Sequence, residues 1–186
     1  MKENRRVSAT KRMLREGLLR LLRTQPIDEI RVTELCEESG VNRATFYRHF
    51  NQPRDVLEEL RATILQELQV SVRRNVKPGV PKSGLEAICR YCYDHAETLR
   101  ILFVCHTDDG FVQLLDQFYQ ENLSGFRAVG EELRIDPDSM RLISSYYGGG
   151  IYFILHQWLM GNTTKSPEEM ADLIYALITA RRTLPL

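Results

Sequence analysis

Apolar residues recur along this chain at intervals of three and four, and the strict alternation that marks a strand is almost absent, so the pattern predicts helices nearly throughout. Leu14, Leu18, Leu21 and Leu22 form the first stripe, after Ser8, and that helix is expected to stop near Thr24 to Pro26. In IRVTELCEESG, Thr33 is a candidate N-cap, Glu34 and Glu37 favour the positive helix end, and Gly40 closes a helix of barely two turns. GVNRATFYRHF follows and ends at Asn51-Gln52-Pro53, where Pro53 suits the first turn of a long helix. That helix carries Val56, Leu57, Leu60, Ile64 and Leu68 and is expected to reach about Asn75.

VKPGVPK, residues 76–82, is the clearest break, because two prolines and a glycine cannot continue a helix. Beyond it Ser83 and Glu86 resemble a capping box. The apolar block LRILFVC leads to a turn at residues 106–110, and a further helix is expected over about 111–133. Asp136-Pro137 opens a helix that should end at Gly161-Asn162, and Ser166-Pro167-Glu168-Glu169 opens the last one. The expected architecture is all-α: a three-helix N-terminal domain, residues 1–52, and a helical bundle, residues 53–186.

No apolar run approaches the roughly 20 residues of a membrane span, and the basic start lacks the apolar core of a secretory signal. A cytoplasmic protein is expected, in which the four cysteines are free thiols. The formal net charge is 0, but residues 1–55 hold 12 Lys and Arg against 8 Asp and Glu, so the N-terminal third is basic. Lys2, Arg5, Arg6, Lys11, Arg12 and Arg15 cluster there. Such a cluster suits a polyanion; a solvated basic helix face would look the same.

Two short helices joined at Gly40-Val41 describe a helix-turn-helix, with Leu35, Cys36, Val41, Ala44, Phe46 and Phe50 available to pack. The second helix of that motif enters the major groove, where its outward residues meet phosphates and base edges. Its polar positions are rich in donors: Asn42, Arg43, Thr45, Tyr47, Arg48 and His49. Arg43 can reach guanine, Thr45 and Tyr47 suit phosphate or a thymine methyl, and Arg48 and His49 can bind the backbone.

VTELCEESGVNRATFYRHFNQPRDVLEEL resembles the DNA-binding domain of the TetR family of transcriptional regulators, whose mark is a Gly-Val turn and a helix reading Thr-hydrophobic-Tyr-x-His/Tyr-Phe. Here that is Thr45-Phe46-Tyr47-Arg48-His49-Phe50, and the resemblance covers about residues 8–70. It implies an all-helical homodimer, usually a repressor, that leaves a palindromic double-stranded operator when a small-molecule effector binds. By matching positions it implies that Thr33 and Tyr47 touch phosphates while Asn42, Arg43, Ala44 and Thr45 face bases. Pro53 stands where many members carry Lys, and Arg54 is the candidate to take over that contact.

SYYGGGIYFILHQWLMGN is apolar on every side, so its helix must be covered twice: by its own core and by a second subunit. Gly149, Phe153, Trp158, Met170, Ile174 and Ile178 are the candidate dimer residues, in a four-helix interface built with the last helix. Gly148, Gly149 and Gly150 suit a close approach of backbones, or a kink. The segment also resembles the C-terminal region of a TetR subgroup that includes a regulator of dihydroxyacetone kinase genes. The aromatic and Cys-rich stretch from 83 to 126 suggests an effector pocket near Tyr91, Cys92, His95, Phe103 and Phe118.

Cys89 and Cys92 share a helix face with His95 nearby, yet a metal site needs three or four converging ligands, and small buried core side chains are the simpler reading. No metal or cofactor is expected. No phosphate-binding glycine loop or Ser-His-Asp arrangement points to an enzyme. Control by a partner protein through the C-terminal domain, or thiol or metal sensing, are the alternatives to a small-molecule effector.

Overall fold

The computed structural model describes residues 2–75, 82–105, 136–161 and 163–179, and among them it contains eight α-helices and no strand. They are α1 (Lys2–Leu21), α2 (Val32–Ser39), α3 (Arg43–Tyr47), α4 (Pro53–Asn75), α5 (Ser83–Asp94), α6 (Ala96–Cys105), α7 (Pro137–Leu159) and α8 (Pro167–Thr179). A 3-10 turn at Ile27–Glu29 joins α1 to α2. The break at 76–82 falls between α4 and α5, and the helix expected over 111–133 lies outside the described residues. The chain divides into two compact units, one running to Ile64 together with the end of α6 from Ile101, the other holding Leu65–Arg100 and the C-terminal helices. The first unit therefore takes in the opening three turns of α4, beyond the boundary expected at residue 52.

In the first unit the 3.6-residue stripe closes on itself. Leu14, Leu18 and Leu22 of α1 are buried with Leu35, Phe46, Val56 and Leu57. At Gly17 the α1 backbone lies so close to Ser39 that a Cβ there would stand 2.9 Å from the Ser39 Cβ. Polar side chains tie the same helices. Arg20 reaches the Glu38 carboxylate and donates to the Glu38 carbonyl at 2.7 Å, while Lys11 pairs with Glu59 at 3.3 Å. Arg15 donates to the Thr63 hydroxyl at 2.9 Å.

Gly40 ends α2 as expected, with φ of 67°, the left-handed region that favours glycine. Its N–H reaches the Glu37 carbonyl and the Val41 N–H the Cys36 carbonyl, a Schellman pair that sets the tight turn into α3. The other end of α2 differs from expectation. Arg31 is the N-cap, and Thr33 lies inside the first turn; the cap is made by the Glu34 carboxylate, which accepts from the Arg31 N–H at 2.9 Å. Asp55 performs the same task before α4, accepting from the N–H of Asn51 at 2.8 Å.

The second unit is built on α5, α7 and α8. Cys89, Tyr91 and Cys92 are buried with Ile151, Leu155, Trp158, Met170 and Ile174, and Lys82–Asp172 and Arg90–Glu168 ion pairs link α5 to α8. The Trp158 indole N–H donates to the Lys165 carbonyl at 2.8 Å, and Arg100 donates to the Leu159 carbonyl, which fixes the turn where Gly161 adopts φ of 81°. Asp136 caps α7, accepting from Ser139 N–H at 2.9 Å, with Pro137 at N1. Ser166 and Glu169 form the expected reciprocal box on α8. At α5 the cap lies one residue earlier than the expected Ser83. Lys82 is the N-cap of α5, and Glu86 pairs with its ammonium at 3.3 Å.

Candidate nucleic-acid interface

Helix α3 is one and a half turns long, so its shape depends on its ends. The Asn42 side-chain carbonyl accepts from the Ala44 N–H at 2.8 Å and caps the helix. Phe46 is fully buried, its ring edge-on to Tyr47 at 5.4 Å and 6.1 Å from Phe50, and Val41 and Phe50 are buried beside it. This apolar side orients the rest. Arg43, Ala44, Tyr47 and Arg48 are exposed with Asn42, while Thr45 and His49 are half-buried. Tyr47 leaves 52% of its surface free, which is unusual for a tyrosine that does nothing but pack.

The expected contacts thus form a contiguous outward face, with one constraint on its chemistry. The Asn42 side-chain oxygen already accepts the capping bond, so a base edge would have to meet its second lone pair or its amide N–H groups. The Arg48 guanidinium donates to the Thr45 hydroxyl at 3.3 Å. Thr33 is exposed in the first turn of α2, a position compatible with a phosphate contact. Arg54 is paired with Asp28 at 2.5 Å, so a phosphate contact from it would share the guanidinium with that carboxylate.

The basic N-terminal cluster also divides. Lys11 and Arg15 are half-buried and turn to Glu59, while Arg12 pairs with Glu16 one turn on and stays exposed. Lys11 additionally lies over the Phe50 ring at 5.5 Å.

The second unit holds an open cleft of about 490 Å³. Glu67, Val70, Ser71 and Arg74 of α4 line it with Tyr91 and His95 of α5 and its C-cap. The Tyr91 hydroxyl donates to the Glu67 carboxylate at 3.1 Å, and its ring lies 4.2 Å from that of His95. Burial first, then the neighbouring Glu67, pushes the Tyr91 phenol up, so it stays a donor. Two of the expected pocket residues are thus brought together. Cys92 is buried and not part of the lining, the side chain of Phe103 lies outside the described ones, and Phe118 lies outside the described residues. The α4 lining residues went unnoticed in the sequence, although their polar spacing along one helix face was visible there.

Burial pushes the thiols of Cys89 and Cys92 up to about 12, the opposite of what a redox or metal-binding cysteine needs. No group of three metal-ligating side chains occurs among the described residues.

The expected dimer residues fall on two sides. Trp158, Met170 and Ile174 are buried within the chain's own second unit, with the Trp158 indole bonded to Lys165. Phe153 and Gly149 are exposed, and Ile178 is half-buried. Leu142, Tyr146, Gly149 and Phe153 form one outward stripe with spacings of four, three and four; the three large side chains are 72%, 76% and 65% exposed. Leu173 and Leu177 are exposed on α8.

A compact helical unit that presents a capped, donor-rich helix after a Gly-Val turn defines a helix-turn-helix DNA-binding protein. Residues 14–60 match the family described as Bacterial regulatory proteins, tetR family, and residues 80–180 match that described as Transcriptional regulator C-terminal region. The chain belongs to the TetR family of transcriptional regulators, whose members are DNA-binding proteins, not enzymes, and generally repressors that act as dimers. No curated protein sequence matches it.

Among solved structures, a TetR transcriptional regulator from Streptococcus agalactiae is 17% identical with a TM-score of 0.71, over 96% of this chain and 98% of that one. PfmR, a TetR family regulator from Thermus thermophilus, is 18% identical with a TM-score of 0.64, over 94% and 96%. The dihydroxyacetone kinase operon activator DhaS is 17% identical with a TM-score of 0.61, over 92% and 95%. At such identities the likeness is one of fold. Among the described residues no helix is long and apolar enough to cross a membrane.

Proposed function

We propose that this protein represses transcription as a homodimer on a palindromic operator and is released when a small molecule occupies its second unit. The observation that carries the reading is the α3 face, where Arg43, Ala44, Tyr47 and Arg48 stand exposed around a buried Phe46. Arg43 is assigned to base edges and Tyr47 to phosphate; Asn42 and Arg48 support them, with Thr33 on the adjoining backbone. Two such helices set about 34 Å apart would read successive major grooves.

The dimer is assigned to the stripe of Leu142, Tyr146, Gly149 and Phe153, extended by Leu173 and Leu177. Its four-three-four spacing suits helix-on-helix packing, and so much exposed apolar surface is costly in a monomer. The effector is assigned to the cleft of Tyr91, His95, Glu67 and Arg74. Helix α4 supplies the coupling: its second half lines the cleft and its first half belongs to the DNA-binding unit. A ligand acts there only if it binds the two dimer states with different affinity.

Activation is the second reading, favoured by the fold shared with a protein described as an operon activator. Control by a partner protein would leave the cleft without a small-molecule ligand.

Selection of bound sequences from a random duplex pool tests the core of this reading. A palindromic consensus is expected. With that consensus in hand, Arg43→Ala should relax base preference, whereas Tyr47→Phe should weaken all sequences alike; the reverse pattern would mean that α3 is rotated from the orientation assigned. No enrichment by folded dimeric protein would refute operator binding.

A further inference from the structure

The cleft of the second unit carries opposite charges at the two ends of one helix face. Glu67, Val70, Ser71 and Arg74 follow one another on α4 at steps of three, one and three residues, so all four share the face that lines it. Seven residues of α-helix rise about 10.5 Å, which sets the carboxylate and the guanidinium about 10 Å apart with Val70 and Ser71 between them. Tyr91 and His95, whose rings lie 4.2 Å apart, complete the lining.

Neither charge is neutralised within the fold. Among the described residues Glu67 and Arg74 form no ion pair, whereas Lys82 pairs with Glu86 and Asp172, and Arg90 with Glu168, in the same unit. One oxygen of Glu67 accepts from the Tyr91 hydroxyl at 3.1 Å, which orients the carboxylate and leaves its other oxygen open to a donor. The negative end of α4 accounts for a basic residue in its last turn, but Arg73 supplies one there as well and does not line the cleft. Val70, an apolar side chain that is 39% exposed, lies on the same face between the two charges.

A ligand complementary to this face has a cation at one end, an anion at the other and an uncharged middle. We infer that the cleft binds a short zwitterion, its ammonium on Glu67 and its carboxylate about 10 Å away on Arg74. An extended peptide advances about 3.5 Å per residue, so a peptide of about three residues with free termini has that span, as does an unbranched amino acid of about eight carbons. The peptide alone has amide groups for the Ser71 hydroxyl to bond. The inference rests on the assignment of this cleft as the effector site.

Titration calorimetry on the full chain tests it with two zwitterions, trialanine and ω-aminooctanoate, and with two singly charged controls, N-acetyl-trialanine and trialanine amide. Trialanine should bind, and blocking either of its ends should raise Kd by about fivefold. Glu67→Gln, which keeps an acceptor for Tyr91, should raise the Kd of trialanine by the same factor and leave that of N-acetyl-trialanine unchanged. Arg74→Gln should do likewise with the amide. Tighter binding of trialanine than of ω-aminooctanoate, erased by Ser71→Ala, would identify a peptide; equal binding would make the two charges the whole of the recognition. If free and blocked trialanine bind alike, or neither zwitterion binds at millimolar concentration, the assignment is overturned, while release by a differently charged molecule still stands. If the zwitterions bind by these charge rules and operator affinity does not change, the ligand class holds and the release reading fails.

Discussion

Replacing Gly17 by alanine tests the packing on which the DNA-binding unit depends. A Cβ at this position would lie 2.9 Å from the Ser39 Cβ and 3.1 Å from both its Cα and its backbone nitrogen. Ser39 is the last residue of α2, immediately before the left-handed Gly40, and it is buried, so neither a rotamer change nor an outward swing relieves the contact. Forcing a methyl group into a packed interior costs about 1–3 kcal/mol, while exchanging glycine for alanine inside a helix returns about 1 kcal/mol. Because the atoms met are largely backbone, the cost belongs in the upper part of its range, and the net loss should be about 1–2 kcal/mol. For a chain of this size that lowers Tm by roughly 2–8 °C. Gly150→Ala is the control, since a Cβ there meets nothing within 4 Å and the residue is exposed in α7. Scanning calorimetry of both variants should show Gly17→Ala falling and Gly150→Ala level or rising. A Gly17→Ala protein as stable as its parent would refute the close approach of α1 to α2.

Phe153→Asp should leave the monomer fold intact, because the side chain is 65% exposed, yet shift sedimentation from dimer to monomer; a dimer that persists would move the interface off this stripe. Cys89 and Cys92, with thiols pushed up to about 12, should escape iodoacetamide in the native protein near pH 8 and react once it is denatured, and labelling of the native chain would show burial too shallow to protect them. Three helix-capping carboxylates are depressed. Burial works to raise Asp55, but hydrogen bonds from Asn51 and Gln52 outweigh it, while hydrogen bonds from Ser139 lower Asp136 and the Ser166 N–H lowers Glu169. A depressed carboxylate adds stability that is present above its ordinary value, 3.8 for Asp and 4.5 for Glu, and is lost as pH falls through its lower folded value. Tm should therefore decline as pH falls from about 5 to 3, and less steeply in the Asp55→Asn, Asp136→Asn, Glu169→Gln protein. Parallel curves would rule out the caps as a source of the acid sensitivity.

Local chemistry made some of this architecture readable and concealed the rest. The stripe of Leu14, Leu18 and Leu22, the glycine after α2, the cap at Asp136 and the box at Ser166 depend on neighbours within four residues, and each is visible in the sequence. Thr33 and Ser83 were misplaced by one or two positions for the same local reason: a hydroxyl in the first turn resembles one at the cap, and here Glu34 and Lys82 decide the boundary. An all-round apolar α7 announces two covered sides but does not say which side chain belongs to which. Only packing separates Trp158, buried and bonded to Lys165, from Phe153, exposed. The cleft was half legible, because its Tyr91–Glu67 bond joins helices 24 residues apart and no periodicity encodes that meeting. The charges changed meaning most. Read along the sequence, the positive excess of residues 1–55 is densest before Arg15, where it looks like a polyanion-binding arm. Once Lys11, Arg12 and Arg15 are assigned to their carboxylates, the described cations left unpaired include those at Arg31, Arg43 and Arg48. Attraction of the helix-turn-helix for DNA is therefore expected to depend on which basic residues the fold leaves without a carboxylate as well as on their number.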